Sequence, residues 1–165
     1  MSIGATSMAI DDLVYQIKQL ENCEVYPTAG LPFTDLALPP DLEEFYQLCG
    51  GATLFKAAEY SIEIVKPIDF VRANPVIAGV DGADDISYEW FVVARADEQY
   101  ITIDLNVARQ GRCYDSFWDC HALPGDCQIV SLSFEALLEN LIKGHGTYWF
   151  WLQEDFEDLG DAYDM

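Results

Sequence analysis

Residues 90–105 read WFVVARADEQYITIDL, and this stretch decides the fold. Trp90 to Ala96 and Tyr100 to Leu105 are rich in β-branched and aromatic residues, and the polar Ala96-Asp97-Glu98-Gln99 separates them. Two such runs across a short polar break form a β-hairpin. Downstream, Gln110-Gly111 marks the next reversal and Arg112 to Phe117 supplies a third strand. Upstream, Thr53 to Phe55, Tyr60 to Val65 and Val76 to Val80 carry the same signal, so an antiparallel meander is expected, its sheet drawn mainly from residues 53 to 117. A short strand at Gln128 to Val130 extends it.

Outside this span the apolar period changes from two to three and four. Ile10, Leu13, Val14, Ile17 and Leu20 predict a helix over 8–21, with Ser7 as N-cap and Asp11 and Asp12 in the first turn, where the helix dipole favours acids. Pro39-Pro40-Asp41 opens a second helix, over 40–50, which Gly50-Gly51 stops. Ser133 caps a third, over 133–143, carrying Phe134, Leu137, Leu138, Leu141 and Ile142, and Gly144 ends it. Trp149, Leu152, Phe156 and Leu159 recur at helical spacing among acids and predict a last acidic helix. Helices near the two ends and consecutive strands between them give an α+β class with a central, mainly antiparallel sheet, since βαβ alternation is missing. No repeat or linker divides residues 1–165, which are expected to form a single domain.

Charge sets the partner class. Acids outnumber bases 29 to 8, a net charge of −21, while 51% of residues are hydrophobic. That apolar content builds a core, so the acidity belongs to a folded surface. Nucleic acids and anionic membranes are disfavoured as partners, because both are bound through clustered Lys and Arg. No stretch free of charged side chains exceeds the eleven residues from Phe45 to Phe55, against the roughly 20 apolar residues of a spanning helix. The first basic residue is Lys18, so the positive n-region of a secretory signal is missing and a cytoplasmic location is expected. The five cysteines, Cys23, Cys49, Cys113, Cys120 and Cys127, are an odd number and read as reduced thiols.

Few residues suggest chemistry. Cys113, Cys120 and Cys127 are seven apart, too far for the paired ligands of structural zinc, and His121 lies beside Cys120 rather than across from it. Neither zinc nor a Cys-His nucleophile is expected, nor any other metal, cofactor or catalytic residue. Asp81-Gly-Ala-Asp84-Asp85 lacks the alternating ligands and closing glutamate of a calcium loop and reads as a solvated turn. With so many acids, a pair of carboxylates carries little information. Trp118, Trp149 and Trp151, with Phe117, Tyr148 and Phe150, cannot all face inward, so part of this set belongs near a surface.

Pro39-Pro40-Asp41-Leu42 with Phe45 and Leu48-Cys49-Gly50-Gly51, then Tyr100-Ile-Thr-Ile-Asp104-Leu, Gly111-Arg-Cys-Tyr114-Asp115 and the Ser133-Phe134 helix, resemble the SUKH superfamily, the Smi/Knr cell-wall-regulator and toxin-immunity group. Tyr148-Trp149 and Gly160-Asp161-Ala162 look like the tail of some members, so the resemblance runs over about 38–163. It implies an α+β fold and no shared catalytic residues. In bacteria such domains are mostly immunity proteins of polymorphic toxin systems, which would make the partner a cognate toxin domain, often a nuclease. The charge agrees independently: a nuclease presents a basic cleft, and carboxylates can occupy the places of its phosphates. The candidate contacts are Asp81, Asp84, Asp85 and Glu89 in one loop, Asp97 and Glu98 at the hairpin tip, Asp119 beside Trp118, and Glu154, Asp155, Glu157 and Asp158, with Trp118 or Trp151 as anchor. A non-catalytic regulator or scaffold binding a non-toxin partner fits the same surface.

Overall fold

The computed structural model describes residues 9–164. In chain order the elements are α1 (Ile10–Gln19), β1 (Glu24–Val25), α2 (Pro40–Leu48), β2 (Ala52–Leu54), β3 (Ile62–Ile64), α3 (Ala73–Ile77), β4 (Trp90–Ala96), β5 (Gln99–Asp104), β6 (Cys113–Asp115), β7 (Ile129–Ser131) and α4 (Phe134–Gly144). The seven strands form one sheet in sequential order, β1 to β7, and every neighbouring pair is antiparallel. This is the α+β meander read from the sequence, longer by β1 at one edge.

The hairpin of residues 90–105 is its centre, with Ala96 opposite Gln99 across a tight tip and a bulge between Val92 and Ala94. Asp97 at the tip has φ 54, the left-handed turn conformation that Asp tolerates. Gly51, at φ 110, turns the chain from α2 into β2. A side chain on Gly50 would strike the Pro27 carbonyl, so this second glycine serves a close approach. Ser133 caps α4 through its Oγ, which accepts the Ala136 N–H at 3.0 Å. The Asp41 carboxylate in the first turn of α2 accepts the Glu135 N–H at 2.9 Å, joining the positive ends of two helices through one anion. Ser7, the expected cap of α1, lies outside the described residues.

Two expectations are overturned. Val76 to Val80 is not a strand: residues 73–77 are helical, and the chain then turns through Gly79 at φ 75. Pro75 sits in the first turn of that helix, where its missing N–H has no intrahelical partner to lose and its fixed φ is already helical. The acidic helix around 149–159 is absent as well. Only Phe150–Leu152 makes a 3₁₀ turn, and Trp149 and Trp151 stack at 5.3 Å, an i,i+2 contact that an α-helix forbids. Glu154 with Glu157 and Asp158, and Asp155 with Asp158, would have placed like charges at helical i,i+3 and i,i+4 positions.

The sheet separates two kinds of interior. In β5 and β6, Ile101, Ile103 and Cys113 enter the main core with Leu13 and Ile17 of α1, Leu42 and Phe45 of α2, and Leu137 and Leu138 of α4. Thr102, Asp104 and Tyr114 alternate to the other side, where a smaller cluster of Trp90, Tyr114, Cys127, Ile129 and Ala162 lies under loops.

Candidate interaction surface

The hairpin tip is the place where separate candidate residues meet. Asp97 and Glu98 are exposed on it, and the Trp118 N–H donates to Gln99 Oε1 at 2.9 Å, pulling the loop after β6 against the tip. Trp118 is 73% exposed, the large aromatic side of an otherwise acidic surface. Asp119 beside it is exposed as well. Glu59, Asp97, Glu98, Phe117 and Trp149 line one shallow concavity here. Glu59 reaches it because the neighbouring Tyr60 N–H is bonded to the Gly146 carbonyl, a contact across 86 residues of chain that the local sequence does not signal.

The other candidates disperse. Asp81 and Asp84 are exposed in the loop after α3. Asp85 also faces solvent, but its carboxylate accepts from the Ser87 N–H at 3.0 Å and the Tyr163 hydroxyl at 2.7 Å. Glu89 is half-buried, accepting from Asn106 Nδ2 at 2.7 Å and lying 3.8 Å from an Arg109 guanidinium nitrogen. It is an internal partner before it is a surface acid. Glu154, Asp155, Glu157 and Asp158 are exposed along the extended tail, remote in sequence from the hairpin tip. Trp151 is corrected outright: at 2% exposure it offers no surface, and its indole N–H donates to Asp115 at 3.1 Å.

Cys113, Cys127 and the His121 imidazole are buried and Cys120 is partly so, whereas His145 is exposed. Burial pushes the Cys113 and Cys127 thiols up to about 12, and burial together with the Asp115 carboxylate raises Cys120, so all three are protonated at neutral pH. His121 is buried with Nε2 2.7 Å from Asn74 Oδ1, and burial lowers its pKa to about 4 against the opposing pull of Asp85. Among the described residues no three His, Cys, Asp or Glu side chains converge as a metal site, and no helix is long and apolar enough to cross a membrane.

A protein with this fold and this placement of motifs can be set beside known ones. Residues 33–140 match the SMI1/KNR4 family (SUKH-1). Over 160 residues, 95% of this chain and 97% of the relative, the sequence is 44% identical to the immunity protein YokJ of Bacillus subtilis (strain 168). The chain belongs to the SUKH-1 family.

In this SUKH-1 chain, the two carboxylates that sit at family-matching positions prove to be framework. Asp104 is fully buried; one oxygen accepts the Asn106 N–H at 2.9 Å, and the other accepts Arg109 Nε at 2.9 Å and the Tyr114 hydroxyl at 2.5 Å. Three donors on one carboxylate thus hold the β5–β6 turn. Asp115 accepts from the Phe117 N–H at 3.2 Å and from Trp151, tying the aromatic tail to the last residue of β6. Burial raises its pKa against the opposing effect of these donors. Asp161, beyond the family-matched span, accepts three backbone N–H groups, from Gly125, Cys127 and Tyr163, and so fastens the tail beside β7. These acids are committed to internal hydrogen bonds, whereas Asp97, Glu98, Asp119 and Trp118 are exposed.

Proposed function

We propose that the protein is a cytoplasmic immunity protein that neutralises a cognate toxin domain by stoichiometric, non-catalytic binding. The observation that carries this reading is the 44% identity, over nearly the full length of both chains, to a protein named for immunity. The charge of −21 refines the partner to a basic domain, as a nuclease-type toxin would be, and makes nucleic acid and anionic membranes unfavourable partners. Asp97, Glu98 and Asp119 steer the encounter, and Trp118, already exposed beside them, is the anchor.

The test is capture of partners on the immobilised protein at low salt, mass spectrometry, and then kinetics with the purified partner. An equimolar complex that abolishes toxin activity supports the proposal. Neutralising Asp97, Glu98 and Asp119 together, or raising salt, slows association several-fold; Trp118→Ala speeds dissociation by about 2 kcal/mol. An acidic partner, or association indifferent to salt, overturns it.

A further inference from the structure

A second concavity lies on the other side of the aromatic segment that bounds the hairpin-tip surface. It runs between α4 and the tail, with the edge strand β7 along its base, and encloses about 420 Å³. Leu132, Tyr148, Phe150 and Phe156 give it apolar walls, and Leu132 and Tyr148 are 57% and 40% exposed. Asp155 and Glu157 stand at its rim. Lys143, the cation among its lining residues, is 3.2 Å from Glu139 on the preceding turn of the helix. The groove therefore combines an apolar floor with a negative margin.

The geometry points to this groove as a docking site for a basic, amphipathic segment of the partner, one that lays apolar side chains on the floor and sets Lys or Arg against Asp155 and Glu157. The inference rests on the toxin-binding reading for the identity of that partner and adds where a segment of it enters. Charge complementarity selects the occupant. Lys and Arg carry apolar stems that cover hydrophobic walls while their heads stay at a wet acidic rim. A second copy of this chain would bring another −21 to the same margin, which self-repulsion opposes. The exposed leucine and tyrosine are the kind of contiguous apolar surface, rimmed by polar groups, that marks a protein contact.

The groove can be tested without the toxin. The isotope-labelled full-length protein is titrated by NMR with a capped short peptide of alternating leucine and arginine, and with the matching leucine–glutamate peptide. The expected result is saturable shifts gathered on the amides of Leu132, Asn140 and Phe156 with the basic peptide alone. Asn140→Arg, which sets a cation in the groove, and Glu157→Lys on the exposed rim each weaken binding roughly tenfold, while Asp97→Lys at the hairpin tip changes it less than about twofold. Equal losses from Asp97→Lys, equal binding of the acidic peptide, or a dimer that Asn140→Arg dissolves would each overturn the proposal. Unchanged thermal unfolding of the variants shows that they fold, and Glu157→Lys keeps the test sharp should Asn140→Arg not. Peptide binding that survives while no toxin is neutralised removes the toxin and leaves the groove; the reverse result removes the groove and leaves immunity.

Discussion

The two sides of the sheet are held by different physics. On the helix side, Phe45 packs edge-on against Phe134 at 5.0 Å and against Tyr46 at 5.3 Å, within a wall of Leu, Ile and Val from three helices. Its stability is non-directional and proportional to the apolar area removed from water. On the loop side, the apolar cluster is small, and the interior is stapled by bonds that need particular atoms: Asp104 with Arg109 and Tyr114, Thr102 with Ser116 at 2.8 Å, and Asn74 with Ser87 at 2.9 Å and His121. Loops bring backbone and polar side chains that must be satisfied when buried; the staples supply these partners, while Trp90 Nε1 and His121 Nδ1, on this same side, have none. The helix side should tolerate changes of identity that keep volume; the loop side should not tolerate removal of one partner.

The largest break in that contrast is Phe45→Ala. It removes a ring at 0% exposure from the helix side and is expected to cost about 3–5 kcal/mol in urea unfolding, whereas Leu138→Met costs under about 1.5 kcal/mol. Next is acid. His121 has a folded pKa of about 4, below an ordinary histidine, so the unfolded chain binds the extra proton between those two values. Stability is complete above the ordinary value and falls as pH drops toward 4, by up to about 3 kcal/mol from this group, and His121→Gln should remove that part of the slope in urea titrations at a series of pH values. Tyr114→Phe keeps the packing against Trp90, at 4.3 Å between ring centroids, but takes a donor from the buried Asp104. A loss of about 1–3 kcal/mol is expected, visible as a lower urea midpoint with an unchanged slope. Trp118→Ala should be the smallest, within about 0.5 kcal/mol, because the side chain is surface on both accounts, and it should still weaken the partner complex.

The elements legible in the sequence were those whose own side chains carry the signal. The 90–105 hairpin, α2 with its Pro39-Pro40 entry and paired-glycine exit, and the Ser133-capped α4 all stand within a residue or two of their expected limits. Residues 76–80 failed because Val and Ile favour a strand only when neighbours offer one, and here Pro75 and the turn at Gly79 decided first. β1 carried no readable signal: a two-residue strand becomes one when Thr53 and Ala52 supply its partner. Among the candidate contacts, charge and exposure were legible for Asp97, Glu98 and Asp119, while the fate of Trp151 and Glu89 was not.

By itself the sequence determined an α+β meander, its principal helices and an acidic surface, because period, caps, turn residues and net charge are properties of short segments or of the whole composition. Only the tertiary structure decided which acids are framework and which remain exposed. Asp104 and Asp115 lie in strand runs and Asp97 in a polar break, but none of the three shows locally which oxygens are used; Tyr114, Arg109 and Trp151, brought in by strand pairing, the β5–β6 turn and the returning tail, consume those of Asp104 and Asp115. The two concavities were likewise invisible beforehand, since each is walled by segments distant in sequence, Glu59 against the hairpin tip and Leu132 against Phe156. A hydrogen bond or a groove belongs to a pair of segments, and the pairing exists once the sheet has closed and the tail has returned to it.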